Sequence, residues 1–277
     1  MKKLYAVLGI VAGALAVLGG VFVAVGAAMG AKNDISLFRG FVNFSWGRGE
    51  LVRSGYTKLD EFDSLYIDMD YGSVEIVRGD EYAVEYELYS DDLICEVENG
   101  RLTFKERRKN FLINIAWFDK KAGRLKLYVP DKKLDSAEIY TDMGSVNVSG
   151  LSCGRLTLEC DMGSVECTDV STDRLYIDAD MGDVAYTGTV TDRIEADIDM
   201  GSVGFEGWLD CDFDVSADMG SVDIVTYYSV ASYRYDLDVD MGKKEIRDNG
   251  GTDSEKVHIM EIECDMGDIS ITHKSAE

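Results

Sequence analysis

Proline is almost missing from this chain: Pro130 is the only one in 277 residues. Histidine is nearly as scarce. His258 and His273 are the two copies, and neither stands in a motif with a cysteine or serine, which removes the ordinary material for a nucleophilic relay. Six cysteines occur (Cys95, Cys153, Cys160, Cys167, Cys211 and Cys264) without a Cys-x-x-Cys pair, so a zinc site of the usual spacing is not expected. Positive charge is also short. Against 52 acidic residues stand 28 lysines and arginines, giving a formal charge of −24. Such a surface repels nucleic acid and anionic headgroups and favours cations or basic partners. After residue 32 no helical period appears, which argues against a helical domain.

What is present begins with a run free of charge. Residues 4–31 follow Lys2 and Lys3 and read "LYAVLGIVAGALAVLGGVFVAVGAAMGA". At about 1.5 Å per residue, a helix of that length exceeds the roughly 30 Å hydrocarbon thickness. It is also longer than a signal peptide's apolar core, although "GAAMGA" offers small residues to a peptidase. The expectation is an uncleaved single-pass transmembrane helix, with a cytoplasmic N-terminus set by the leading lysines and the remainder outside. The membrane is thus the first expected partner. Gly9 with Gly13, and Gly26 with Gly30, have the spacing of a helix-dimer seam for self-association. The simpler reading is that glycine is common in membrane helices.

The rest is governed by a repeated word. Asp-Met-Gly, or Asp-Tyr-Gly in the first copy, recurs at Asp70, Asp142, Asp161, Asp180, Asp199, Asp218, Asp240 and Asp265. The steps from Asp142 to Asp218 are all equal, and the two that follow, to Asp240 and then Asp265, are longer. A fixed period of this size signals a solenoid. Counting from each Asp, offsets −5, −3 and −1 are apolar, as in Leu156, Leu158, Cys160 and Leu175, Ile177, Ala179. That period of two is a strand with one buried face, and the Met at +1 is expected to continue the buried row. After the Gly the phase shifts: Val165 with Cys167 and Val184 with Tyr186 are the apolar pairs at +4 and +6. A change of facing at a glycine marks a corner or bulge. The prediction is an all-β parallel β-solenoid of about eight rungs, each a long strand, a corner, a shorter strand and a turn. Cys160 and Cys264 share core offset −1, so they read as buried free thiols. An extracellular setting would permit disulfides, but the spacing forces none.

The organisation read from the chain is a cytoplasmic start and anchor over 1–31, a linker and cap over 32–60, a first rung with a hairpin cap over 61–135, the regular repeats over 136–272, and a polar tail at 273–277. The cap rests on Asn99-Gly100 between alternating runs, a hairpin signal, and on the strand-like segments "FLINIAWF" and "GRLKLYVP". "IRDNGGTDSEK" (246–256) is expected as a loop bulging from a late rung.

From Phe62 to Ile271 the chain resembles the bacterial putative-adhesin family, a β-strand-repeat domain of unknown function. The likeness is carried by "LYIDMDYGSVEIVRGD", by "RLKLYVP" leading into the rungs, and by the repeated Gly-Ser-Val or Gly-Asp-Val corners. The resemblance implies a membrane-attached, outward-facing β-solenoid without an established enzymatic activity. The recurrence of Asp-Met-Gly and the strongly acidic outer face depart from it.

The outward offsets carry the functional question. Offset 0 is Asp in all eight copies, and offset −2 is acidic in six (Asp68, Glu159, Asp178, Asp197, Asp238, Glu263). Offset −4 adds Glu138, Glu195, Asp214, Asp236 and Glu261; offset −6 supplies Arg155, Arg174, Arg193 and Arg234. Two readings of the aspartate column stand. In the first, each Asp accepts the backbone N–H two positions on, capping the corner as an Asx turn. In the second, Asp161, Asp180, Asp199 and Asp218 form a row of hard oxygen ligands for calcium, the one cofactor considered. The glycine-rich repeat of calcium-bound β-rolls is absent, which favours the first. The expected role is a structural or adhesin-like interaction module at the cell envelope, meeting a cell-wall or basic protein partner. A cation-responsive sensor or scaffold is the alternative. A carbohydrate-active enzyme is the third reading, disfavoured because the rungs are alike and such sites use irregular loops.

Overall fold

The computed structural model describes residues 34–37, 42–45, 53–88, 92–107 and 122–276. The chain divides into two units, one formed by residues 1–49 with 109–121 and the other by 50–108 with 122–277. In the first, Asp34–Leu37 pairs antiparallel with Val42–Ser45. The expected membrane helix at 4–31 and the segment "FLINIAWF" lie outside the described residues. Among those described, no helix is long and apolar enough to cross a membrane.

The second unit is the solenoid, and the repeat builds it as the spacing predicts. In the copy around Asp161, Leu156, Leu158 and Cys160 are buried, and Val165 and Cys167 are buried beyond the corner. Neither strand hides its apolar side alone, so copies stack. Before the corner, Lys133–Met143, Ser152–Met162 and the C-terminal half of Val165–Met181 pair parallel, Leu158 lying between Ile139 and Ile177. After the corner, Val146–Ser149 and the N-terminal half of Val165–Met181 pair likewise, with Val146 against Val165. Two parallel ladders, joined by long strands such as Val165–Met181 into one 18-stranded sheet, therefore enclose a single apolar core, and each full circuit of the chain is one rung. Among the described residues eight rungs form, one per Asp-x-Gly copy, the first being the strand Ser64–Arg78.

At one end parallel pairing gives way to antiparallel. Arg101–Arg107 and Gly123–Val129 lie parallel to Ser64–Arg78. Beyond them, Asp92–Glu98 pairs antiparallel with Arg101–Arg107, and Ala83–Leu88 sits antiparallel between Gly123–Val129 and Arg53–Lys58. The hairpin at Asn99-Gly100 forms as expected, with φ of 50° and 76°, the left-handed pair that a tight two-residue turn requires. The cap covers what would otherwise be an open sheet edge.

The other end differs from a stack in sequence order. The rung at 258–274 inserts between the rung at 212–226 and the rung at 233–249: Val215 pairs with Ile262, and Ile262 with Leu237. The two longer steps, from Asp218 to Asp240 and from Asp240 to Asp265, belong to this exchange. The reason is legible in the +4 column. It holds Val146, Val165, Val184, Val203, Val222 and Ile269, but Lys244 in the copy at Asp240. A lysine there cannot be enclosed between two neighbours, so that rung takes the outside. The strand Lys244–Asn249 is exposed throughout. Its Lys244, Arg247 and Asp248 make the edge unattractive to further strands. The expected loop is shorter than read, because Lys244–Asn249 is a strand, and Thr252 bridges back to Tyr228.

Candidate functional site

The outward face of the pre-corner strands is a regular surface, built from the same offsets in every rung. In-register pairing converts sequence offsets into columns about 4.8 Å apart per step. One column reads Glu159, Asp178, Asp197, then Ser216 and Glu263, ending at Asp238. The neighbouring column contains Glu195, Asp214, Glu261 and Asp236. Arg155, Arg174 and Arg193 stack in register beside them. Arg193 pairs with Glu195 at 2.5 Å and with Asp214 at 2.7 Å. At the capped end, Lys105 pairs with Asp68 and Arg101 with Glu138. In the middle of the face repulsion is not cancelled: the carboxyls of Glu159 and Asp197 are both pushed above the ordinary range, first by desolvation and then by neighbouring aspartates.

The corner column is built differently from the expected turn. Asp161, Asp180, Asp199 and Asp218 are exposed. The glycine N–H that an Asx turn would use is already donated across to the next rung. Gly163 N–H reaches Met181 O, Gly182 N–H reaches Met200 O and Gly201 N–H reaches Met219 O, each at 2.9 Å. Carboxylates that do bond the corner backbone sit at offset +3: Asp183 accepts from Ser202 N–H and Asp268 from Lys243 N–H, each at 2.9 Å and each between adjacent rungs. Among the described residues, no group of three His, Cys, Asp or Glu side chains converges in a metal-holding arrangement.

A second correction concerns the methionines. The Met at +1 does not continue the buried row. Met143, Met162, Met181, Met200, Met219 and Met266 are 40 to 43% exposed, and Met241 on the outermost rung is 63% exposed. The strands run on through the Met and the bend falls at the Gly, yet Asp and Met are exposed in succession and the apolar phase resumes only at +4. The methionines stack in register beside the aspartates.

The histidines lie near the late rungs. His258 Nε2 is 2.8 Å from Asp210 Oδ1, which also accepts the Ser254 hydroxyl at 2.5 Å. Serine and histidine meet the same carboxylate rather than each other, which is no nucleophile–base geometry. His273 is buried, with Nδ1 2.8 Å from Tyr228 O and Nε2 2.8 Å from the Tyr235 hydroxyl. A carbonyl can only accept, so Nδ1 carries a proton and Nε2 is left to the hydroxyl. All six cysteines are free, and burial pushes the Cys153 thiol up to about 11. Sequence reading missed this His–Tyr cluster: Tyr235 fills the core offset −5 of its rung, but Tyr228 lies outside the strands and has no repeat offset.

Two expectations follow for the carboxylates. Because Gly182 N–H is satisfied by Met200, Asp180→Asn and Asp180→Ala should both change stability by no more than about 0.5 kcal/mol. An Asx turn would instead make Ala the worse by about 1–2 kcal/mol, so urea melts of the two variants decide the matter. For Asp197, the raised folded-state pKa means that the folded state holds the proton more tightly than the unfolded chain. Its contribution is full below the unfolded value, near about 3.9, and is lost as pH rises through the raised value. Asp197→Asn should therefore stabilise at pH 7 by at most about 0.5 kcal/mol, given solvent screening, with the gain vanishing below about pH 3.

The chain belongs to the Toastrack DUF4097 family, whose model matches residues 62–276. No curated protein matches it significantly. Among solved structures, it is similar to a "putative cell adhesion protein" from Clostridium sporogenes, at 12% identity and a TM-score of 0.40, covering 80% of this chain and 100% of that one. It is also similar to a "putative adhesin" from Parabacteroides distasonis, at 12% identity and a TM-score of 0.39, covering 82% and 99%. A "putative lipid binding protein" from the same species follows, at 17% identity and a TM-score of 0.34, with the same coverage.

Proposed function

We propose that this chain is a membrane-anchored, outward-facing structural or interaction module of the cell envelope, adhesin-like in role and without catalysis. Residues 4–31 supply the anchor, and the acidic sheet face meets basic groups of a cell-wall component or protein. One observation carries the reading: the columns of carboxylates, with Glu159 and Asp197 held above their ordinary pKa partly by like charge. A surface under such repulsion gains when a cationic partner covers it. The charge balance disfavours nucleic acid.

Two measurements test it. Protease added to intact, wall-free cells should remove the domain and leave a membrane-held stub; a secreted product beginning near residue 31 would overturn the anchor. A lysine-rich peptide should bind the full-length protein with an affinity that falls steeply with salt. The variant E159Q/D178N/E195Q/D197N should weaken binding at least about tenfold, and unchanged affinity would overturn the acidic face as the contact. The same repulsion supports a second reading, a cation-responsive scaffold. Calcium raising the melting temperature well beyond magnesium at equal ionic strength would favour it.

A further inference from the structure

The acidic face does not use the methionine column, and core packing does not explain it. A position nearly half exposed accepts many residue types, yet seven of the eight rungs place Met there, with Tyr71 in the remaining one. The corner glycine has a backbone reason to recur, and the buried valine a packing reason. The exposed Met has neither, since its own backbone carbonyl, not its side chain, accepts the inter-rung bond.

The column has the chemistry of a soft-metal site. Met181 pairs in register with Met162 on one side and Met200 on the other, and the series runs on through Met219 and Met266 to Met241. Neighbours are therefore one strand spacing apart, about 4.8 Å. Thioethers that keep the strand spacing place an ion midway about 2.4 Å from each sulfur, close to a metal–sulfur bond of about 2.3 Å, so both can hold it. Thioethers are soft, neutral ligands that select monovalent copper over hard cations. The adjoining exposed aspartates add a negative field that concentrates cations without supplying the convergent oxygens that calcium needs.

We infer that the corner methionines form a ladder that binds soft monovalent cations, Cu(I) or Ag(I), each held between the thioethers of adjacent rungs. Seven methionines taken two at a time hold three ions per chain. Binding is simple coordination and involves no electron transfer. It is independent of any basic partner on the sheet face.

Ag(I) is the probe, because it does not change oxidation state. Full-length protein carrying Cys95→Ser, which removes the one cysteine that is not buried, is labelled with carbon-13 at the methionine methyls and titrated with silver nitrate. The signals of Met162, Met181, Met200 and Met219 should move and saturate at about three equivalents. Those of Met69 and Met260, which are fully buried, should stay. Met181→Leu/Met200→Leu conserves volume and should melt within a few degrees of its parent while binding one ion fewer. Calcium should leave every methyl signal in place. Methyl signals unmoved by silver would overturn the inference, as would saturation unchanged in the leucine variant or silver taken up only by thiols. The spectrum of the Cys95→Ser parent decides the matter even if the leucine variant fails to fold.

Discussion

Replacing Gly182 with alanine is expected to cost at least about 4 kcal/mol and to abolish cooperative melting of the middle rungs. A Cβ at Gly182 would stand 1.6 Å from the carbonyl oxygen of Gly163, at a φ of +145° that side chains rarely adopt. The contact is backbone against backbone, so no rotamer change relieves it. It also repeats up the stack: a Cβ at Gly163 would meet Gly144 O at 1.5 Å, and one at Gly220 would meet Gly201 O at 1.6 Å. The corners stack this closely because each glycine N–H bonds the methionine carbonyl of the following rung. Gly204→Ala is the matched control. Its Cβ would find nothing nearer than 3.9 Å, and its φ carries no strain, so the change should be neutral within about 0.5 kcal/mol or mildly stabilising. Thermal melts of the two variants beside wild type provide the check. Equal effects would contradict the stacked corner.

Deleting residues 162–180 should leave a folded molecule one rung shorter. The cut removes one full repeat and joins Asp161 to Met181, whose neighbours in the stack are interchangeable in register. Stability in such an array is close to a sum over rungs and their interfaces, so the melting temperature should fall by no more than about 5 °C. Deleting 162–171 instead removes only part of a repeat and shifts the chain within it. The apolar set Leu175, Ile177 and Ala179 would then no longer meet Leu156, Leu158 and Cys160, and no cooperative transition should remain. Circular dichroism melts on both deletions distinguish the outcomes.

Much of this architecture was legible because the side-chain period of a strand is two and the spacing of the Asp-Met-Gly words is constant through the middle of the chain. Leu156, Leu158 and Cys160 against Leu175, Ile177 and Ala179 placed the core, and Asn99-Gly100 marked the hairpin of the cap. Three features were not legible from offsets alone. The methionines continue an apolar alternation on paper, but the buried alternation ends at the residue before the Asp, although the strand runs on through the Met. The aspartates suggest an Asx turn, but the glycine N–H they would cap finds a carbonyl in the next rung, a partner one whole repeat away that local reasoning does not see. The exchange of the last two rungs had a signal in Lys244, which stands where a buried valine is required, yet chain order alone argues for sequential stacking. Of the candidate site, the acidic columns were readable by counting. The uncancelled repulsion at Glu159 and Asp197 depends on which charges the arginines reach, and that is settled by geometry.

The rung order is the most direct test of the eight-rung stack. Tyr140 shares its outward column with Glu263 and Asp238, five and six strand steps away through the observed pairings. Spin labels at cysteines replacing Tyr140 and Glu263, and in a second protein Tyr140 and Asp238, both with Cys95→Ser, give the two separations by pulsed electron resonance. At about 4.8 Å per step, the account predicts roughly 24 Å for the pair ending at 263 and roughly 29 Å for the pair ending at 238. The reverse order, with 238 nearer than 263, would mean that the rungs stack as they follow in the chain and would contradict the fold described here.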